Sequence, residues 1–174
     1  MAEEVTKRRG PLYAAIAAVV VAAGFAGWAG WSWVDAGTDN GLDYARTRAA
    51  VLETGRAQVA ELTTLDYHNV DRGIARWLEQ STGALRDRLA ATDEATKKTL
   101  AGNGSVATGK VLDAAVSELD KDTGTARMLA SVEISVAKDG TAPTTNRNRF
   151  AVALTRTPAG WKLSALDPIP VGAS

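Results

Sequence analysis

The 174 residues carry twenty Lys and Arg against twenty Asp and Glu, for a formal net charge of zero, with one histidine and no cysteine. That balance, without a long block of like charge, argues against nucleic acid as a partner, because a nucleic-acid face needs clustered cations to displace phosphate counter-ions. The missing cysteines exclude disulfides, thiolate metal sites and cysteine nucleophiles, and a lone histidine leaves any zinc ion to carboxylates, an uncommon ligand set. We expect neither a metal nor a cofactor.

Residues 1–11 form a short polar leader that includes Lys7, Arg8 and Arg9. Residues 12–34, Leu12 to Val34, read LYAAIAAVVVAAGFAGWAGWSWV without a charge. As a helix rising about 1.5 Å per residue, this run spans about 34 Å, enough for a hydrocarbon core of about 30 Å. The basic triplet before it and Asp35 and Asp39 after it place the N-terminus in the cytoplasm and the rest of the chain outside. Trp28, Trp31 and Trp33 crowd the far end, where indoles favour the membrane–water interface. A cleaved signal peptide is the rival reading, but the run exceeds the usual apolar length of about 7–15 residues and bulky tryptophans precede the Val34-Asp35-Ala36 junction. The small-residue pairs Ala23/Gly27 and Ala26/Gly30 have the spacing that lets another helix approach, a weak signal in so alanine-rich a segment.

Residues 35–41 are a polar hinge, and residues 42–174 read as one extracytoplasmic domain. From Leu42 to Leu65 a helical period places Ala45, Ala49, Leu52, Val59, Leu62 and Leu65 near one stripe. A short second helix is expected from Asp71 to about Gln80, and a third from Ala84 to Leu100 with a local break at Thr92 or Asp93. GNG at Gly102–Gly104 stops it. Beyond that point the period becomes two. Val106–Leu119 is a strand with irregular alternation, whereas Ala126, Met128, Ala130, Val132, Ile134 and Val136 alternate with Arg127, Ser131, Glu133 and Ser135. After the loop KDGTAPTT come a third strand around Phe150, Val152 and Leu154 and a fourth beginning at Trp161, ended by Pro168 and Pro170. The sequence thus predicts an α+β domain, three helices covering one face of a sheet of four antiparallel strands.

Leu65 to Gly73, LDYHNVDRG, gathers the chemistry-bearing side chains: Asp66, Tyr67, His68 and Asp71, with Arg149 as a possible anion partner. As an acid–base site, these residues would need a fixed mutual geometry that the string does not specify. Asp66 and Asp71 lie on either side of a helix break, and an exposed His68 lacks a neighbour to set its tautomer. The structural reading explains more: Asp71 as the N-cap of the helix RGIARWL, with Tyr67 and Val70 packed under the turn above Trp77. Arg147 and Arg149 are expected to face water on a strand.

Three stretches, LDYHNVD (Leu65–Asp71), STGALRDRL (Ser81–Leu89) and GWKLSALDPI (Gly160–Ile169), together with the apolar segment and the helix-then-strand order, resemble the actinobacterial Mce-associated membrane proteins. The resemblance spans nearly the whole chain. It implies a single-pass anchor followed by a nuclear transport factor 2-like (SnoaL-like) cone, a curved, mostly antiparallel sheet wrapped by helices. It also implies a non-catalytic accessory role beside Mce systems, cell-envelope complexes that move lipids, with the bilayer and Mce-complex subunits as partners. The alternative is an anchored small-ligand or lipid-binding domain, or an enzymatic SnoaL-like domain, acting outside the membrane.

Overall fold

The structure is a computed structural model and describes residues 41–138 and 140–170. The chain divides into two compact units, Met1–Ala45 and Arg46–Ser174, and the sheet belongs to the second. The expected anchor Leu12–Val34, the cations Lys7, Arg8 and Arg9, and the tryptophans Trp28, Trp31 and Trp33 lie outside the described residues. Among the described residues no helix is long and apolar enough to cross a membrane.

Helix α1 (described over 41–62) leads into a two-residue strand β1 (Leu65–Asp66), a 3-10 turn (Tyr67–Asn69) and helices α2 (Val70–Gln80), α3 (Gly83–Ala90) and α4 (Glu94–Gly102). Four strands follow: β2 (Ser105–Asp120), β3 (Thr125–Lys138), β4 (Thr144–Thr157) and β5 (Gly160–Pro168). The sheet order is β1-β2-β3-β4-β5, every neighbouring pair antiparallel. The α+β class and the meander are as expected, but the sheet has five strands, because Leu65 and Asp66 pair with Ala107 and Val106. The expected third helix is two, since Asp93 caps α4 by accepting from Thr96 N at 2.8 Å and so restarts the chain.

The irregular alternation of β2 has a physical cause. Its register shifts between Val111 and Asp113 and again between Val116 and Glu118, so Leu112 and Ser117 are inserted residues. Each bulge moves the core-facing set by one: Ala107, Gly109 and Val111 face inward, then Ala114 and Val116, then Leu119, opposite Val136, Ile134, Val132, Ala130, Met128 and Ala126 of β3. Bulges also bend and twist the strand, which curves the sheet toward its helices.

The core lies between α1, α3 and the inner face of the sheet. Met128, Val132, Leu154, Leu163, Val51 and Val59 are almost wholly buried, joined by Leu85, Val116 and Val152. The expected stripe on α1 holds in part: Val59 is buried, and Leu52 and Leu62 lie partly buried against the core. Ala45 and Ala49 are exposed, and the buried line runs through Val51, Gly55, Gln58 and Val59. Gly55 is there because the helix crosses the sheet closely: a Cβ on it would sit 2.9 Å from Met128 Cε and 3.4 Å from Leu154 Cδ2. Gly109 plays the same part on β2, where a Cβ would fall 1.8 Å from Thr63 Oγ1.

Side chains tie the helices to backbone that the sheet leaves open. Gln58 Nε2 donates to Trp161 O at 2.7 Å, Arg48 Nη2 to Val116 O at 2.7 Å, and Gly109 N–H to Thr64 Oγ1 at 3.0 Å. On the β5 edge, Ser81 bridges to Leu163 and Thr82 N–H donates to Leu163 O at 2.8 Å. These contacts give partners to strand groups that neighbouring strands leave open.

Candidate functional site

The corner from Leu65 to Gly73 is built by a change of direction. β1 runs along the sheet edge, the 3-10 turn lifts the chain off it, and α2 begins at Val70. The two ends of the string touch: a Cβ on Gly73 would come within 2.5 Å of Leu65 Cδ1, so glycine lets α2 seat against that leucine without moving it. Trp77, one turn on, donates its indole N–H to Glu61 O at 2.9 Å and Thr64 O at 3.2 Å, and Arg76 Nε pairs with Glu61 Oε1 at 2.6 Å. Val70 is buried, as expected of a residue under the turn.

Asp66 is the centre of the polar cluster. Its Oδ1 accepts the backbone N–H of His68 at 2.9 Å and lies 2.8 Å from His68 Nδ1, while Oδ2 accepts from Asn69 Nδ2 at 3.2 Å. The His68 backbone N–H, then the His68 ring, then the Asn69 amide hold its carboxyl below the usual carboxylate range. His68 therefore has a neighbour to orient its ring, contrary to the sequence expectation, and Tyr67 lies against that ring with centroids 3.8 Å apart. The side chains of His68 and Asp66 are 61% and 38% exposed, so the pair stands in contact with water.

Asp71 does not cap α2. The N-cap is Asn69, which makes no side-chain capping bond, because the 3-10 turn starts the helical backbone earlier than the sequence suggests. Asp66 caps the turn instead. Asp71 stands in the first turn of α2, where a negative charge suits the helix dipole, and pairs with Lys97 of α4 at 3.0 Å. Lys97 also reaches Glu94 at 2.8 Å, and these two carboxylates, Glu94 first, hold its ammonium above its ordinary range. Arg149, the expected anion partner, sits on β4, three strand spacings or about 14 Å from β1. The structure does not bring it to the corner.

Chemically, the arrangement is an exposed aspartate–histidine pair whose carboxylate is held ionised by its own turn. A general acid or base works best with its pKa near ambient pH and a pocket that excludes water. Asp66 is shifted the other way. Three grooves, of about 350, 220 and 390 Å³, are lined by residues 113–169 of the sheet, and none of the three includes Asp66, Tyr67, His68 or Asp71. Among the described residues no group of three or more His, Asp or Glu is placed to hold a metal.

Sequence reasoning missed two buried polar residues, Gln58 and Ser81, which are 5% and 1% exposed. Gln58 lies on the apolar stripe of α1, and only its phase with Val51 and Val59 marks it in the sequence.

The arrangement defines a class: helices on one face of a curved antiparallel meander, the nuclear transport factor 2-like fold. An IcmL-like type IV secretion system protein from Legionella pneumophila superposes with a TM-score of 0.59 at 12% identity, over 73% of this chain and 95% of that one. The periplasmic domain of DotI does so at 0.59 and 14%, over 71% and 95%, and the VirB8 protein of Agrobacterium tumefaciens at 0.56 and 12%, over 74% and 96%. Within that class the chain belongs to the family described as "Uncharacterized protein Rv1363c/MT1408-like", whose sequence model matches residues 11–170. No curated protein matches its sequence.

Proposed function

We propose that the protein is a non-catalytic accessory membrane protein, an assembly or stability subunit of an Mce-type cell-envelope lipid transport system. One observation supports the non-catalytic part: the helix-covered side of the sheet, where a cone of this class would hold a pocket, is filled. Met128, Leu154, Leu163 and Val132 occupy it at 2% exposure or less, and α1 approaches until a Cβ on Gly55 would touch Met128. Packing of that density leaves substrate no place beside a carboxylate or imidazole.

The envelope part rests on the family match over 11–170 and on the resemblance carried by LDYHNVD, STGALRDRL and GWKLSALDPI. The fold agrees, since the similar structures include a periplasmic domain, that of DotI, and a type IV secretion system protein. In this reading residues 12–34 anchor the chain, Lys7, Arg8 and Arg9 hold the N-terminus in the cytoplasm, Trp28, Trp31 and Trp33 sit at the outer interface, and the domain stands outside the membrane. Its partners are the bilayer and Mce-complex subunits.

The test is recovery of the tagged full-length chain from native membranes in mild detergent, followed by protein identification. Mce transport subunits should co-purify. Their absence would overturn the assignment, and an N-terminus beginning at Gly37 would overturn the anchor.

A further inference from the structure

The outer face of the sheet, opposite the helices, carries an ordered pattern of side chains that the core does not use. Strand register sets its rows: Asp113–Ser131–Arg149, then Ala115–Leu129–Ala151–Asp167, then Glu118–Arg127–Ala153–Ala165. Leu129 is the apolar high point at 51% exposed, set among alanines. A groove of about 220 Å³ opens on one side of it and another of about 390 Å³ on the other.

Some charges on this face are paired, and others, among them Lys110 and Asp167, are in no ion pair among the described residues. Arg127 and Glu118 pair with each other at 3.4 Å, as do Arg147 and Glu133. Asp113 and Arg149, in contrast, are opposite charges at the two ends of one row, with no ion pair to either among the described residues. Ser131 stands between them, two strand spacings or about 10 Å across the row.

We propose that this face is where a second copy of the chain docks, about a two-fold axis that runs near the direction of β3 through Leu129. Such an axis lays β2 of one copy over β4 of the other. Asp113 then meets Arg149 of the second copy, and Arg149 meets its Asp113, so one row supplies two reciprocal ion pairs. Ala115 faces Ala151, and Leu129 faces its own counterpart between the grooves. A residue on the axis meets itself, which would repel for Arg127 and Glu133 except that each carries its counter-ion at 3.4 Å. The row with Lys110 and Arg147 lies further from the centre, where the roughly 30° angle between aligned sheets parts the two faces. Self-complementary charge about a small apolar centre is the mark of an isologous contact.

The chain has no cysteine, so a single introduced one reports on its own neighbourhood. In native membranes holding the full-length chain, mild oxidation of Leu129→Cys should give a covalent homodimer. Ala75→Cys, exposed on α2, should give little, and circular dichroism checks that both variants fold. Adding Asp113→Arg or Arg149→Asp to Leu129→Cys should lower dimer yield roughly tenfold, as loss of two exposed ion pairs predicts. The two swaps together should restore it. Equal yield from Leu129→Cys and Ala75→Cys, a charge exchange without restoration, or a cross-link from position 129 to a different protein would each overturn the proposal.

Discussion

Gly109→Ala is the substitution on which local preference and tertiary geometry disagree in sign. Gly109 lies inside β2, where alanine should be better than glycine by about 0.5–1 kcal/mol of backbone entropy. A Cβ there, however, falls 1.8 Å from Thr63 Oγ1, 2.6 Å from Thr63 Cβ and 3.2 Å from the Thr63 carbonyl carbon. Carbon atoms rest about 3.5–4.0 Å apart, so the end of α1 must retreat by roughly 1 Å, and no rotamer of Thr63 moves its Cβ aside. Overpacking of this kind costs about 1–3 kcal/mol, and the retreat stretches the Gly109 N–H bond to Thr64 Oγ1, worth about 1 kcal/mol more. The net expectation is a loss of about 2 kcal/mol. In urea denaturation followed by circular dichroism the midpoint should fall by about 1 M with its slope unchanged. Pairing it with Thr63→Gly, which removes both near atoms at the end of the helix, should recover part of the loss as a coupling of about 1 kcal/mol. A midpoint that stays or rises in Gly109→Ala would refute the close approach of α1 to β2.

Three carboxylates make stability depend on acid. Asp66 is held low first by His68, Asp93 first by the Thr96 contact, and Asp120 first by the Thr123 N–H. A depressed folded pKa stabilises fully above the unfolded value near 4 and is lost as pH falls through the folded values. Melting temperature should therefore drop below about pH 4, and Asp66→Asn, Asp93→Asn and Asp120→Asn together should flatten that drop by lowering the melting temperature at pH 7 toward its acid value. Asp93→Ala should lower the urea midpoint more than Asp71→Ala, since Asp93 caps α4 whereas Asp71 makes only an exposed pair with Lys97; the reverse order would contradict the capping geometry. His68→Ala should leave recovery of transport subunits from membranes unchanged, and their loss from a folded variant would restore the corner as a functional site.

The strands are legible where side chains alternate without interruption. β3 reads directly, because Ala126, Met128, Ala130 and Val132 are all buried and the residues between them are not. β2 does not, because two inserted residues shift its phase twice within one strand, and a fixed period of two averages inward and outward positions together. The hydrophobic pattern recovers only part of the stripe of α1 for a related reason. A glycine and a glutamine occupy half of it, and both count as polar in such a pattern although one is there for closeness and the other for a bond to Trp161 O. β1 is illegible because two residues carry no period, and only their pairing with Val106 and Ala107 defines them.

The corner shows why chemistry-bearing letters in a short string are weak evidence of chemistry. Nearly every feature of Leu65–Gly73 answers a geometric demand made by the turn from sheet edge to helix. Leu65 packs where Gly73 has no side chain, Asp66 satisfies two N–H donors and a ring nitrogen, and Asp71 complements both the start of α2 and Lys97 of α4. A site for catalysis has polar groups that the fold leaves unsatisfied and aimed at a space for substrate. On the corner those groups are satisfied locally. Asp113 and Arg149, opposite charges with no ion pair among the described residues, are on the other side of the sheet, where the sequence shows only the polar half of an alternating strand. One carboxylate oxygen of Asp113 accepts the Ala114 N–H at 2.8 Å, and the charge that the fold leaves unpaired there is what the proposed second copy would meet.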